Sequence, residues 1–474
     1  MTRMDDRRRV TISSGTIEGV ATDGISRFLG IPYAAPPFGS NRFREPQPVL
    51  PWDGIRAATS FGPTAPQLPY GGAIGELLGH VIVEGEDILT ANVWAPEDAS
   101  GAPVVLWIHG GALERGAAAL PGYDGTAFAR DGIVFVSVNY RLGAEGFSVL
   151  EGAPRNLGLQ DAAAALRWTH DEVEAFGGDP QRITIMGESA GGALVAALLS
   201  RDDTRALISR AIVQSGPLDA QTPEKGGRVS AQMAKLLGAA ADRESFAALE
   251  PGALLDARSR QSAGSSPLGG APGYQLVIDP ETLPRSPREV LSGVTTPLII
   301  GTNTDEYRLW FTPQALDRIS AMKLLAARLA LRIPGRAVRA FRADEPDAST
   351  GELFGRIATD LLLRGPASRV AAARTAATYV YEFGWHSPVR DLRAAHAVEL
   401  PFMFSTAGDR SWSSLIGENP PASLAAEMHE AWAAFIRDGD PGWPEYASER
   451  LTRLFDTVSR TVPQRRTGGM DLLP

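Results

Sequence analysis

Hydrophobic and polar positions along this chain follow two different patterns. Residues 10–31, VTISSGTIEGVATDGISRFLGI, alternate apolar and polar residues around glycine-containing turns, which predicts a small antiparallel meander. From residue 103 the alternation gives way to continuous apolar runs: PVVLWIHG at 103–110, GIVFVSVNY at 132–140, ITIMG at 183–187 and PLIIG at 297–301, with ATYVYEF at 377–383 as a further strand. Such runs fit strands buried on both faces. Helical patterns such as LQDAAAALRWTHDEVEAF at 159–176 lie between them. Apolar strands alternating with helices predict an α/β fold built on a mainly parallel sheet.

Two stretches interrupt that order. Residues of about 217–290 and 307–375 are rich in Ala, Arg and Leu with Gly and Pro breaks, and are expected to be helical insertions. SAGSSPLGGAPG at 262–273 approaches low complexity and is expected to be a mobile loop. There is no internal repeat and no clean linker, so residues 1–474 are expected to form one elaborated domain.

Composition narrows the chemistry. At 474 residues, 44% hydrophobic and 21% charged, the chain can bury a large core. A net charge of −9 argues against a nucleic-acid partner. The absence of cysteine excludes disulfides, thiolate catalysis and Cys-ligated zinc. MTRMDDRRRV at the start carries charge but no apolar core of a signal peptide. No stretch approaches the length needed to span a bilayer. A bacterial cytoplasmic location without a membrane partner is expected.

The segment ITIMGESAGGALVAALL, residues 183–199, places Ser189 between Gly187 and Gly191 where an apolar run turns alanine-rich. A G-x-S-x-G match alone is a weak signal in a chain with 50 glycines. A preceding strand and a following helix make it specific, because a sharp elbow there exposes the serine oxygen and aims a helix N-terminus at developing negative charge. Upstream, WIHGGALERG at 107–116 ends a strand with His109, Gly110 and Gly111, a loop type that donates backbone N–H groups to an oxyanion. A serine needs a base and the base needs an acid. Of the six histidines, His80, His170 and His429 suit surface or packing roles, and His109 belongs to the glycine loop. His386 and His396 both remain as bases, and Asp305 and Glu306, after the strand PLIIG, both remain as acids.

At this point a resemblance becomes specific. FGGDPQRITIMGESAGG (176–192), GEDILTANVW (85–94), FLGIPYAAPPFGSNRF (28–43), NLGLQDAAAALRW (156–168), AIVQSG (211–216) and WAAFIRDGDPGWPEY (432–446) together resemble the type-B carboxylesterases. The style is that of the bacterial para-nitrobenzyl esterases. The resemblance spans nearly the whole chain and is weakest in the helical insertions. It implies the α/β-hydrolase fold with the insertions covering the active site.

It also implies roles, motif by motif. The family's G-x-N-x-D-E acid falls on Glu306, and its histidine before ELPF falls on His396. Its oxyanion donors fall on Gly111, Ala112 and Ala190, and Leu113, Tyr307 and Ala397 are placed at the substrate pocket. Ala112 stands for the third glycine of the run, Tyr307 for the glycine after D-E, and Ala397 for the glycine after the histidine. Ala112 is expected to take an ordinary φ, and the loop type implies acceptance of bulky tertiary alcohols. Ile88 replaces the family's cysteine, and residues 66–87 hold no tryptophan, so a choline ester is not the expected substrate. The implied activity is hydrolysis of small to medium carboxylic esters through an acyl-enzyme, with Ser189 as nucleophile, His396 as base and Glu306 as acid. The rivals are a specialised hydrolase of an amide, carbamate or toxin ester with the same triad, and a non-catalytic binding protein. No cofactor or metal is implied, and a monomer or small homo-oligomer is expected. A histidine base implies activity rising through an apparent pKa of roughly 6 to 7.

Overall fold

The computed structural model describes residues 6–263 and 273–474. A single sheet runs through the molecule. Its strands are β1 (Asp6–Ile12), β2 (Gly15–Thr22), β3 (Ile25–Pro32), β4 (Ile55–Ala57), β5 (Thr90–Pro96), β6 (Ala102–Ile108), β7 (Val134–Val138), β8 (Gly178–Glu188), β9 (Arg210–Gln214), β10 (Leu298–Asn303), β11 (Thr378–Phe383), β12 (Leu451–Phe455) and β13 (Arg460–Pro463). The spatial order is β1-β2-β3-β5-β7-β6-β8-β9-β10-β11-β12-β13, with β4 beside β2. Strands β1, β2 and β3 pair antiparallel as the expected meander, and β3, β5 and β7 continue in that sense. From β7 through β6, β8, β9, β10 and β11 to β12 every neighbour is parallel.

The unbroken apolar runs follow from this placement. On β6, Val104, Leu106 and Ile108 enter one core, while Val105 and Trp107 enter another on the opposite face of the sheet. Each alternate side chain is therefore buried, and a polar residue on either face would need its own partner. The helices Leu157–Glu172 and Ala190–Leu199 contribute to the first core, and Ala422–Asp438 to the second. The helix Ala190–Leu199 buries all its residues, which explains a composition of only glycine, alanine, valine and leucine.

Both interrupted stretches are helical. The first contains Pro223–Leu237, Arg243–Ala247, Pro251–Ser262 and Pro287–Val290. The second contains Pro313–Asp317, Ala321–Ala330, Gly335–Asp344, Thr350–Thr359 and Gly365–Ala373. A π-helical turn at Asp360–Arg364, which the sequence pattern does not announce, joins the last two. The loop expected at 262–273 lies, apart from its end residues, outside the described residues. No described helix is long and apolar enough to cross a membrane.

Candidate active site

Ser189 sits at the end of β8, immediately before the helix Ala190–Leu199, with φ 55° and ψ −121°. That backbone is costly for any residue with a Cβ, and packing enforces it. Ser189 N–H donates to Gln214 O at 2.9 Å, and its carbonyl accepts from Ala193 N–H at 3.0 Å. The flanking glycines are required by close approach. A Cβ on Gly191 would stand 2.0 Å from Ile108 O, and one on Gly187 would stand 2.6 Å from the Gly191 backbone. Strand β6 and the elbow are thus pressed together, which sets the His109–Gly111 loop beside the serine.

That loop is unusual. Gly111, Ala112 and Leu113 have φ of 119°, 57° and 61°. Ala112 therefore does not take the ordinary φ expected of it. The turn closed by Glu114 and Arg115 N–H on Gly111 O, at 3.0 and 2.9 Å, forces it into the left-handed region. The N–H groups of Gly111, Ala112 and Ala190 have no acceptor among the described residues. Successive free amides of this kind form an anion-binding concavity. His109 is fixed behind it, stacked on Tyr140 at 4.7 Å with its Nδ1 2.8 Å from Gly110 O. Burial lowers the His109 pKa to about 4, so this ring stays neutral and shapes the loop.

Glu306 and His396 come from the loops after β10 and β11. Asp305 N–H donates to Ala394 O at 2.9 Å and His396 N–H to Glu306 O at 3.3 Å, which lays one loop along the other. Glu306 Oε2 is 2.5 Å from His396 Nδ1, and both side chains are buried. Glu306 Oε1 accepts from Ser215 Oγ at 2.6 Å and from Asn303 N–H at 2.8 Å. With both oxygens engaged, the carboxylate fixes the ring orientation. The other ring nitrogen, Nε2, lies 3.0 Å from Glu188 Oε1 without hydrogen-bond alignment, and it is not hydrogen-bonded to Ser189 in this structure.

Ser189, Glu306, His396, Gly111, Ala112, Ala190, Leu113, Tyr307 and Ala397 all line one cavity of about 650 Å³. Asp305 and His386 are not among its lining; they face each other at 3.8 Å elsewhere, with His386 62% exposed. The pair left open by residue reasoning is thus separated by placement. Tyr307 is fully buried against Gly355, and Ala397 takes φ 69°. His80 also borders the cavity, His170 pairs with Asp171, and His429 is held by Met403 O and Asp131.

Four further groups shape the site. Besides Glu188, these are Ser215, Glu399 and Trp310, whose ring is 4.7 Å from that of His396. Asn303 Nδ2 donates to Glu399 Oε2 at 2.5 Å. Burial, then repulsion from Glu188 and Glu306, pushes the Glu399 carboxyl up to about 8. For His396, burial alone would lower the pKa, but the Glu188 and Glu306 carboxylates hold it well above 6.5. Three of these residues stand inside the motifs GESAG, AIVQSG and ELPF. Their position was legible there, their contacts were not. No group of three or more metal-ligating side chains occurs among the described residues.

Comparison with known proteins agrees with this architecture. Residues 6–454 match the model of the carboxylesterase family. The para-nitrobenzyl esterase of Bacillus subtilis is 34% identical over 94% of each chain. The phenmedipham hydrolase of Pseudarthrobacter oxydans is 36% identical over 92% of each, and human cocaine esterase is 32% identical over 90% of this chain and 83% of its own. A solved para-nitrobenzyl esterase superposes with a TM-score of 0.87 at 32% identity, covering 99% of this chain and all of that one. The family match over residues 6–454, the sequence identity and the superposition of nearly the whole chain together place it in the carboxylesterase family of α/β-hydrolases, as a carboxylic ester hydrolase.

Proposed function

We propose that the protein hydrolyses small to medium carboxylic esters through an acyl-enzyme formed on Ser189. His396 takes the serine proton through Nε2 as Ser189 Oγ attacks the ester carbonyl. Glu306 holds the Nδ1 tautomer and balances the imidazolium. The carbonyl oxygen becomes negative and is received by the N–H groups of Gly111, Ala112 and Ala190. His396 returns its proton to the departing alcohol, and water releases the acyl group by the same route. Leu113, Tyr307 and Ala397 form part of the wall that meets the substrate.

The observation that carries this reading is the convergence of a strained elbow serine, a Glu306–His396 pair at 2.5 Å and loop amides with no acceptor among the described residues on one cavity. The reading needs His396 Nε2 to turn from Glu188 towards Ser189, which lines the same cavity. Catalytic hydrogen bonds often tighten only when substrate binds. The chain is read as one domain whose two helical stretches cover the site, acting in the cytoplasm as a monomer or small oligomer.

Ser189→Ala tests it. Turnover of para-nitrophenyl acetate should fall by about 10⁶ with the melting temperature kept, and labelling by a fluorophosphonate should vanish. Labelling that persists in the variant would place the nucleophile elsewhere. Anilides and carbamates assayed beside the esters separate a general esterase from a specialised hydrolase.

A further inference from the structure

The helix Ala321–Ala330 contributes no buried residue to the fold. It rests on the molecule through Leu324, which packs against the small cluster formed by Ile333, Ala337 and Phe341. Its outer face is apolar, with Met322 79%, Leu325 48% and Leu329 64% exposed, and Leu331 just beyond is 48% exposed. At about 100° per residue, Leu325, Leu329 and Met322 lie roughly 100°, 140° and 160° round from Leu324. Arg328 and Lys323 bracket that arc, and everything between them on the outer face is alanine, leucine or methionine.

Charge is distributed just as unevenly. Between Asp317 and Asp344 there is no acidic residue, while Arg318, Lys323, Arg328, Arg332, Arg336, Arg339 and Arg342 all fall there. None of these forms an ion pair among the described residues. This concentration of cations stands on a chain whose net charge is −9. A helix with an exposed apolar arc flanked by cations matches a surface that is apolar beneath and anionic on top. A second copy meeting this face about a two-fold axis would set the cations against each other.

We propose that Ala321–Ala330 is a peripheral docking helix for an anionic lipid bilayer. Met322, Leu325 and Leu329 enter the headgroup boundary, and Lys323, Arg328 and Arg332 meet lipid phosphates. The segment lies on the surface and does not span it, so the proposal revises the expectation of no membrane partner. It is independent of the reaction assigned to Ser189.

The test is co-sedimentation with phosphatidylcholine vesicles, with and without one third phosphatidylglycerol. The protein should pellet with the anionic vesicles, be released by salt, and stay in solution with neutral ones. Met322→Ser, Leu325→Ser and Leu329→Ser combined should abolish pelleting. Lys323→Glu with Arg332→Glu should lower it by roughly fivefold for each cation removed. Hydrolysis of para-nitrophenyl acetate and thermal melting report integrity; should the serine variant not fold, the charge variant decides. No pelleting, equal pelleting with neutral vesicles, or variants that bind as wild type would overturn the proposal. So would light scattering that shows a dimer, dissociated by the serine substitutions without vesicles, which would make the face a self-contact.

Discussion

Glu188 Oε1 approaches His396 Nε2 at 3.0 Å, on the side of the ring opposite the Glu306 oxygen at 2.5 Å from Nδ1. The imidazole is thus held between two buried carboxylates, and both favour its cation. An unbound histidine base in that setting is harder to deprotonate than the roughly 6 to 7 expected of an ordinary one. We expect kcat/KM to rise with pH through an apparent pKa above 6.5, the ordinary histidine value. Glu188→Gln removes one stabilising charge and should move that midpoint down. Because burial and the same carboxylates push the Glu399 carboxyl up as well, the midpoint belongs to the cluster. A profile left in place by Glu188→Gln would show that this contact does not govern the base.

The separation of the two acid–histidine pairs gives a direct comparison. Glu306→Gln keeps the shape of the side chain but loses the charge that fixes the imidazole, at a cost of about 10³ to 10⁴ in turnover. His396→Ala should fall further. Asp305→Asn and His386→Ala, whose side chains do not line the cavity, should retain most activity. Steady-state kinetics on one nitrophenyl ester ranks all four, and a stronger loss at Asp305 or His386 would reassign the roles.

A second prediction about charge concerns stability. Glu382, buried on β11, accepts from Arg364 at 2.7 Å, Arg465 at 2.6 and 3.0 Å, Arg466 at 3.4 Å and Thr304 at 2.8 Å. Burial alone would raise its pKa, but Arg364, Arg466 and Arg465 hold it well below 4.5. A depressed folded-state pKa means that its stabilising contribution is complete above the unfolded value and is lost as pH falls through the folded one. Glu382→Gln removes the charge that balances Arg364 and Arg466 in the interior, leaving Arg364 only the Asp360 carboxylate at 3.7 Å among the described residues, and should destabilise by about 3–5 kcal/mol at neutral pH. The difference from wild type should shrink in strongly acidic solution. Denaturant unfolding at neutral and low pH checks both parts.

What the sequence made legible was whatever a single strand or motif carries in itself. The parallel strands could be read because each buries both faces, and the elbow because Gly187 and Gly191 touch backbone directly. The beginning of β8 at Gly178 was hidden by the polar residues DPQR, which form a register irregularity between the Ala102–Gly178 and Val104–Ile183 pairs and carry no apolar run. The short strands β4, β12 and β13 were not announced by an apolar run either. Relationships between distant residues were out of reach: the choice of His396 over His386 rested on resemblance, and the Glu188 contact depends on how the loop after β11 settles against the end of β8. The left-handed Ala112 is imposed by a local turn, closed between Gly111 and Arg115, that its own side chain disfavours.

Ala112 therefore supports a prediction with two readouts. An alanine at φ 57° carries a cost of about 1–2 kcal/mol that glycine does not. Glycine gives back part of this gain through the greater freedom of its unfolded chain. Ala112→Gly should leave the melting temperature unchanged or raised, whereas most point substitutions lower it. The residue borders the cavity beside Leu113, so removing the methyl also opens room where the alcohol group of an ester would sit. Hydrolysis of tert-butyl acetate should be slow but measurable in the wild type. In the variant it should rise a few-fold, about 1 kcal/mol of transition-state free energy, relative to para-nitrophenyl acetate assayed alongside. The ratio matters because a displaced oxyanion donor would slow both esters together, whereas relief of crowding acts on the bulky one alone. A lowered melting temperature with an unchanged ratio would show that Ala112 neither strains the loop nor narrows the pocket.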